Sequence, residues 1–158
     1  MALARFLVLA FVPAAALALN FDACRRHPGP TPLEVRAQGC TQQPCIIRQG
    51  QVMVSETDFI LNAPAERLTA ELALFLITSG GNDFRIPWSL PDHQVNVCQP
   101  AHILQPDCSH MQVGGRYTYH LTTEVSAPFT DVTIEQEMII RNERNEIVFC
   151  YSNVSIVQ

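Results

Sequence analysis

The chain has 158 residues, 47% of them hydrophobic and 16% charged, where soluble domains usually carry about a quarter charged. That length suits one domain with a sizeable core, and the composition excludes a disordered chain or a charged coiled coil. Ten basic residues, all arginine, stand against 15 acidic ones with no basic run, so no nucleic-acid partner is expected.

The first element is the amino-terminal stretch MALARFLVLAFVPAAALA. Arg5 precedes an apolar run from Phe6 to Val12, and Ala16 and Ala18 fit the A-x-A cleavage pattern. The run is short of the roughly 20 residues a membrane span needs, and Pro13 interrupts it. This predicts a signal peptide over residues 1–18, cleaved before Leu19, and a single domain over 19–158. That domain keeps nine arginines and 15 acidic residues, a net charge of −6. The expected destination is extracellular, with a lysosomal lumen as the other address. The tail SNVSIVQ carries no retention tetrapeptide.

Six cysteines, Cys24, Cys40, Cys45, Cys98, Cys108 and Cys150, follow the leader. An even count in a secreted chain predicts three disulfides, in any of 15 connectivities. Zinc would need Cys98 and Cys108 with His93, His102 or His110, but no compact C-x-x-C pair is present and thiols oxidise in secretory compartments. No metal or cofactor is expected. His27 and His120 read as isolated.

RRHPGPTP, with Pro28, Pro30 and Pro32, reads as a loop. Leu33, Val35 and Ala37 alternate with polar residues as a short strand, and Cys40 and Cys45 bracket a tight loop. Ile46 to Leu61, broken at Gly50, predicts one or two strands. Arg67 to Thr78 is ambiguous: Leu68, Leu72, Phe75 and Leu76 have helical spacing, whereas Leu68, Ala70, Leu72, Leu74 and Leu76 lie at period two. Local periodicity leans helical. FRIPWSLPD (Phe84 to Asp92), twice broken by proline, is an edge strand or loop. Tyr117 to Val125, Val132 to Ile140 and Ile147 to Val157 complete an alternating series separated by turns, which predicts an all-β, antiparallel sandwich.

Catalytic signatures are missing: no G-x-S-x-G, no H-E-x-x-H, no glycine-rich phosphate loop. Glu135 and Glu137 share a strand face and read as an ordinary solvated pair. Asp107, Ser109 and His110 are too close in sequence for relay geometry. The chain is not expected to be an enzyme. Asn153-Val154-Ser155 is an N-glycosylation sequon, usable if Asn153 faces solvent.

PCIIRQGQ after Cys40, RYTYHLTTEV leading to Pro128, and the closing IVFCYSNVSIV together resemble the ML lipid-recognition family, which includes the Niemann–Pick type C2 cholesterol carriers and group 2 mite allergens. The resemblance runs from Phe21 to Val157. It implies an immunoglobulin-like sandwich of two antiparallel sheets with a lipid between them, and pairings Cys24–Cys150, Cys40–Cys45 and Cys98–Cys108. It makes Arg67 to Thr78 a strand. Position by position, it places Val125 and Phe129 at a pocket mouth, Ile134 and Met138 in the pocket, and Ile86 opposite, with Phe84 or Trp88 filling that last role if the register shifts. Thr130 stands at a family proline and Pro128 two positions earlier, so the entrance differs here.

The implied role is a secreted, monomeric carrier of a sterol, fatty acid or similar apolar lipid, with a membrane transporter or receptor as its protein partner. An innate-immune protein binding microbial lipids or a receptor ectodomain is the competing class; a structural domain with a filled core is a third. A void on the order of 300 Å³ would cost roughly 7 kcal/mol when empty. Closing a Cys24–Cys150 loop would contribute roughly 5 kcal/mol toward holding it open.

Overall fold

A computed structural model describes residues 18–80, 83–99, 103–126 and 129–158. In chain order they form β1 (Asp22–Ala23), β2 (Glu34–Ala37), β3 (Cys45–Ile47), β4 (Val52–Ile60), β5 (Leu68–Leu76), β6 (Phe84–Ile86), the one-turn helix α1 (Asp92–Val95), β7 (Leu104–Gln105), β8 (Arg116–Glu124), β9 (Val132–Asn142) and β10 (Ile147–Val157). No described helix is long and apolar enough to cross a membrane.

Two sheets face each other as an immunoglobulin-like sandwich. One runs β2-β4-β8-β7; the other runs β1-β10-β9-β5-β6, with β3 added in parallel along β10. Strict alternation builds the first sheet. In β8, Tyr117, Tyr119, Leu121 and Thr123 are buried between less buried or exposed neighbours. Gly50 separates β3 from β4 and holds a φ of 75°, which a side chain would resist. The break has a topological meaning: β3 joins the larger sheet and β4 the smaller.

The helical lean over Arg67 to Thr78 is overridden. β5 pairs with β9 from Leu68↔Asn142 to Leu76↔Ile134. Its period-two signal is blurred because Ala73 and Phe75, on the outward face, are buried as well. A strand covered on both faces reads as a continuous apolar run.

That cover is a strap of the chain, residues 24–30, which leaves β1 at the sheet edge and crosses the outer face of the larger sheet. Cys24 is bonded to Cys150 on β10, and Cys150 N–H donates to Pro30 O at 2.8 Å. The Arg26 guanidinium lies 3.8 Å from the centre of the Phe75 ring. Gly29 fits because a Cβ there would meet Ile147 Cγ2 at 2.6 Å.

Beneath the strap lie Glu135 and Glu137, which sequence reasoning placed on a solvated face. Glu137 is fully buried: its Oε1 accepts from the backbone N–H groups of Arg25 and Arg26, each at 3.0 Å, and its Oε2 lies 2.6 Å from His27 Nδ1. Glu135 accepts from Arg25, from Arg26 Nη1 at 2.7 Å and from Ser152 Oγ at 2.8 Å. His27 is therefore not isolated. Nor is His120, whose Nδ1 lies 3.4 Å from Glu56 Oε1. The outer face of the smaller sheet has its own cluster, in which Asp58 accepts from Arg36 at 3.0 Å, Arg116 at 2.5 Å and Thr118 at 2.7 Å.

These two carboxylates predict acid sensitivity. Burial works against the charge on Glu135, but hydrogen bonds from Arg25, Arg26 and Ser152 outweigh it and hold the carboxyl down at about 2, from an ordinary 4.5. Burial likewise opposes the charge on Asp58, and its bonds from Arg36, Arg116 and Thr118 hold it well below the usual range. A carboxyl more acidic in the folded chain than in the unfolded one stabilises above its unfolded value and loses that contribution as pH falls. Thermal unfolding should therefore be nearly flat above about pH 5 and fall steadily toward pH 2. Asp58→Asn should flatten part of that decline; an unchanged slope would remove Asp58 from the account.

Candidate functional site

The sandwich interior divides along the strands. At one end Phe59 packs on Phe149 and Tyr117, with ring centres 4.8 and 5.9 Å away, and Phe149 stacks on Tyr151. Met138, 1% exposed, is packed between its cross-strand partners Leu72 and Tyr151. At the other end the sheets enclose a cavity of about 70 Å³.

The larger sheet contributes Leu72 and Leu74 from β5, Ile134 and Gln136 from β9, and Tyr151, Asn153 and Val157 from β10. The smaller contributes Val35 and Ala37 from β2, Met53 and Ser55 from β4, and Leu121 and Thr123 from β8. Cys45 and Ile47 of β3 close one side, and Leu19 reaches in from the chain start, its N–H donating to Val35 O at 2.7 Å. Trp88, Thr123, Glu124, Val125 and Ser126 form the rim, since all of these but Val125 also line the outer cleft that runs along Ser89 to Asp92.

The space is mostly apolar with a polar stripe. The Tyr151 hydroxyl hydrogen-bonds Thr57 and Ser55 of the facing sheet; burial pushes its ionisation up despite those partners, so it stays neutral. Gln136 Nε2 and Asn153 Nδ2 donate to Ser155 Oγ at 3.2 and 3.3 Å. The hydroxyl of Thr123 is buried and has no hydrogen-bond partner. Among the described lining residues the only charge is Glu124, exposed at the rim.

Of the positions carried over by resemblance, the cavity gathers Val125, Ile134 and Trp88. Ile86 is buried, pairs with Leu74 and packs in the core, as does Met138; neither is among the lining residues. Phe84 and Phe129 are exposed by 60% and 50% and stand outside the lining. Pro128 and His102 lie outside the described residues. Asn153 of the sequon is 7% exposed and faces the cavity, because an N-x-S triplet in a strand turns both polar residues to the same side. The same period could have flagged Gln136 and Asn153, cross-strand partners on β9 and β10, as lining residues.

The disulfides are Cys24–Cys150, Cys40–Cys45 and Cys98–Cys108. Cys98 and Cys108 are thus spent as zinc ligands. The one acidic and sulfur cluster found among the described residues, Cys24, Glu137 and Cys150, contains a disulfide and has no free thiolate to offer. Ser109 donates both its N–H and its hydroxyl to Asp107 Oδ1, at 2.9 and 2.5 Å, so this trio caps a turn rather than activating a nucleophile.

A disulfide-tied sandwich with an apolar cavity open at one end defines a binding protein of the ligand-between-sheets kind. Residues 18–155 match the ML domain family, and the chain belongs to it. This is a family of non-enzymatic proteins. No curated protein sequence matches significantly. A Niemann-Pick type C2 protein from Japanese carpenter ant overlays with a TM-score of 0.68 at 14% identity, covering 89% of this chain and 100% of that one. Chicken MD-1 complexed with lipid IVa gives 0.37 at 16% identity over 86% and 96% of the two chains. An alkylpurine DNA glycosylase from Pseudomonas fluorescens gives 0.34 at 12%, over 72% of this chain and 28% of that one. Neither of these last two bears on the fold.

Proposed function

We propose that the protein is a secreted carrier that shields a small apolar lipid, of the sterol or fatty-acid class, between its two sheets. The observation that carries this reading is the cavity itself, an apolar space opening beside Trp88 and Ser126 in a chain of the ML family. An apolar cavity stays dry and accepts apolar guests. Cleavage before Leu19 would release the domain, and three disulfides suit an oxidising compartment. Cargo passed on from the rim would go to a membrane transporter or receptor.

The cavity is much smaller than the roughly 300 Å³ of ordinary ligand pockets. At about 24 cal/mol per Å³ it costs only about 2 kcal/mol empty. Loading must therefore widen it, and a narrow slot admits a flexible chain more readily than a rigid ring system.

Leu19 to Gln158, expressed through a secretory pathway, should show a mass adduct by native mass spectrometry that denaturation releases as an extractable lipid. Ile134→Trp, which fills the cavity from β9, should lower lipid uptake at least roughly ten-fold, whereas Phe84→Ser, outside the lining, should leave it unchanged. A wild-type protein with no adduct and no uptake of sterols, fatty acids or their neutral alcohols and esters would refute the carrier reading.

A further inference from the structure

The polar groups inside the cavity are more than a lipid-shielding wall requires. Thr123 is 9% exposed, its Oγ1 has no hydrogen-bond partner, and it stands at the mouth, lining both the cavity and the cleft outside it. Three other buried polar atoms lack partners among the described residues, on Gln94, Tyr119 and His120, and none of those residues lines the space. A buried hydroxyl without a partner is costly, and replacing it by an apolar group of the same shape is close to neutral or stabilising. Opposite, the amides of Gln136 and Asn153 crowd onto one acceptor, Ser155 Oγ, although each amide nitrogen carries two protons. Whichever way each amide is turned, it presents one donor and one acceptor group to the interior. Charge is the other half of the argument. No cation lines the cavity among the described residues, and the carboxylate of Glu124 stands at its rim. An ionised ligand group entering there would leave water with no counter-charge to meet it.

We propose that Thr123, with Gln136 and Asn153, whose amides are held by Ser155 behind the lining, forms a hydrogen-bonding subsite for an uncharged oxygen function on an otherwise apolar chain. The ligand class is a neutral long-chain alcohol or ester, and ionised carboxylates are selected against. This rests on the carrier reading and narrows it. Thr123 both gives and takes one hydrogen bond, so a hydroxyl or an ester carbonyl satisfies it. A hydrocarbon leaves it unpaired. A carboxylate satisfies it but brings its charge.

The test is displacement of N-phenyl-1-naphthylamine from the disulfide-bonded mature chain at neutral pH by four chain-matched ligands: dodecan-1-ol, methyl dodecanoate, dodecanoate and dodecane. The alcohol and ester should bind roughly ten-fold or more tighter than the carboxylate and the hydrocarbon. Thr123→Val keeps the shape of the side chain; it should raise the melting temperature of the empty protein and shrink the preference for alcohol over hydrocarbon roughly three-fold or more, with dodecane affinity unchanged. Gln136→Leu should shrink that preference in the same direction. Dodecanoate binding as tightly as dodecan-1-ol, or a preference that neither variant changes, overturns the subsite while leaving the carrier intact. Binding of none of the four, with no sterol uptake either, overturns the carrier reading and the subsite with it; uptake of a sterol alone overturns only the subsite.

Discussion

Replacing Cys24 and Cys150 together by alanine should lower stability by about 5 kcal/mol, the loop-closure entropy of a crosslink spanning 126 residues, and the melting temperature by roughly 15 °C. The bond does more than shorten the unfolded chain. It anchors the strap whose backbone amides serve Glu137 and whose Arg26 covers Phe75. Losing it frees the cover of a sheet face that holds Ala73, Phe75 and Ile139. Thermal melting of the double variant under non-reducing conditions measures the effect. A fall of only a few degrees would mean that the strap stays docked through its other contacts.

The second large effect belongs to Glu137. Glu137→Ala leaves two strap amides and His27 without their acceptor on a fully buried site, while the Arg26 guanidinium keeps Glu135 and Asp83. Removing one partner from a buried charged network typically costs 3–5 kcal/mol, and because its cations are partly solvated we expect about 3, or roughly 10 °C. Glu137→Gln keeps an oxygen for both amides and should cost about 1 kcal/mol. The two sites share one strap, so their effects should not add: in the Cys24→Ala/Cys150→Ala background, Glu137→Ala should cost less than it does alone. Strict additivity in chemical denaturation would show that the carboxylate acts independently of the crosslink.

Much of the fold is legible where burial is local. β8 alternates cleanly because one face meets the core and the other meets water, and Gly50 marks a real change of sheet. The disulfide pairing and the strand identity of β5 came through family resemblance; residue spacing left both open. What stayed hidden depends on a distant segment. Glu135 and Glu137 read as solvated since nothing near them in sequence announces that residues 24–30 will lie over them. The same cover buried Ala73 and Phe75 and made a strand resemble a helix. The candidate site was legible in part. Val125, Ile134 and Trp88 line the cavity, whereas Met138 and Ile86 went into packing and Phe84 and Phe129 stayed outside. Gln136 and Asn153 were passed over because polar residues are ordinarily assigned to the outer face, and here they take interior positions.

The strap also makes the two walls of the cavity unequal in stiffness. Behind the larger sheet stands a second layer, crosslinked and charge-clamped. On the outer face of the smaller sheet stand side chains as open as Arg116 and Glu56, with no such crosslink among the described residues. When a guest forces the sheets apart, the compliant side yields first and the braced side keeps its register. On the carrier reading, the cavity is expected to open as a sleeve with one fixed jaw. Filling and emptying it can proceed without disturbing the crosslinked layer that keeps the protein folded.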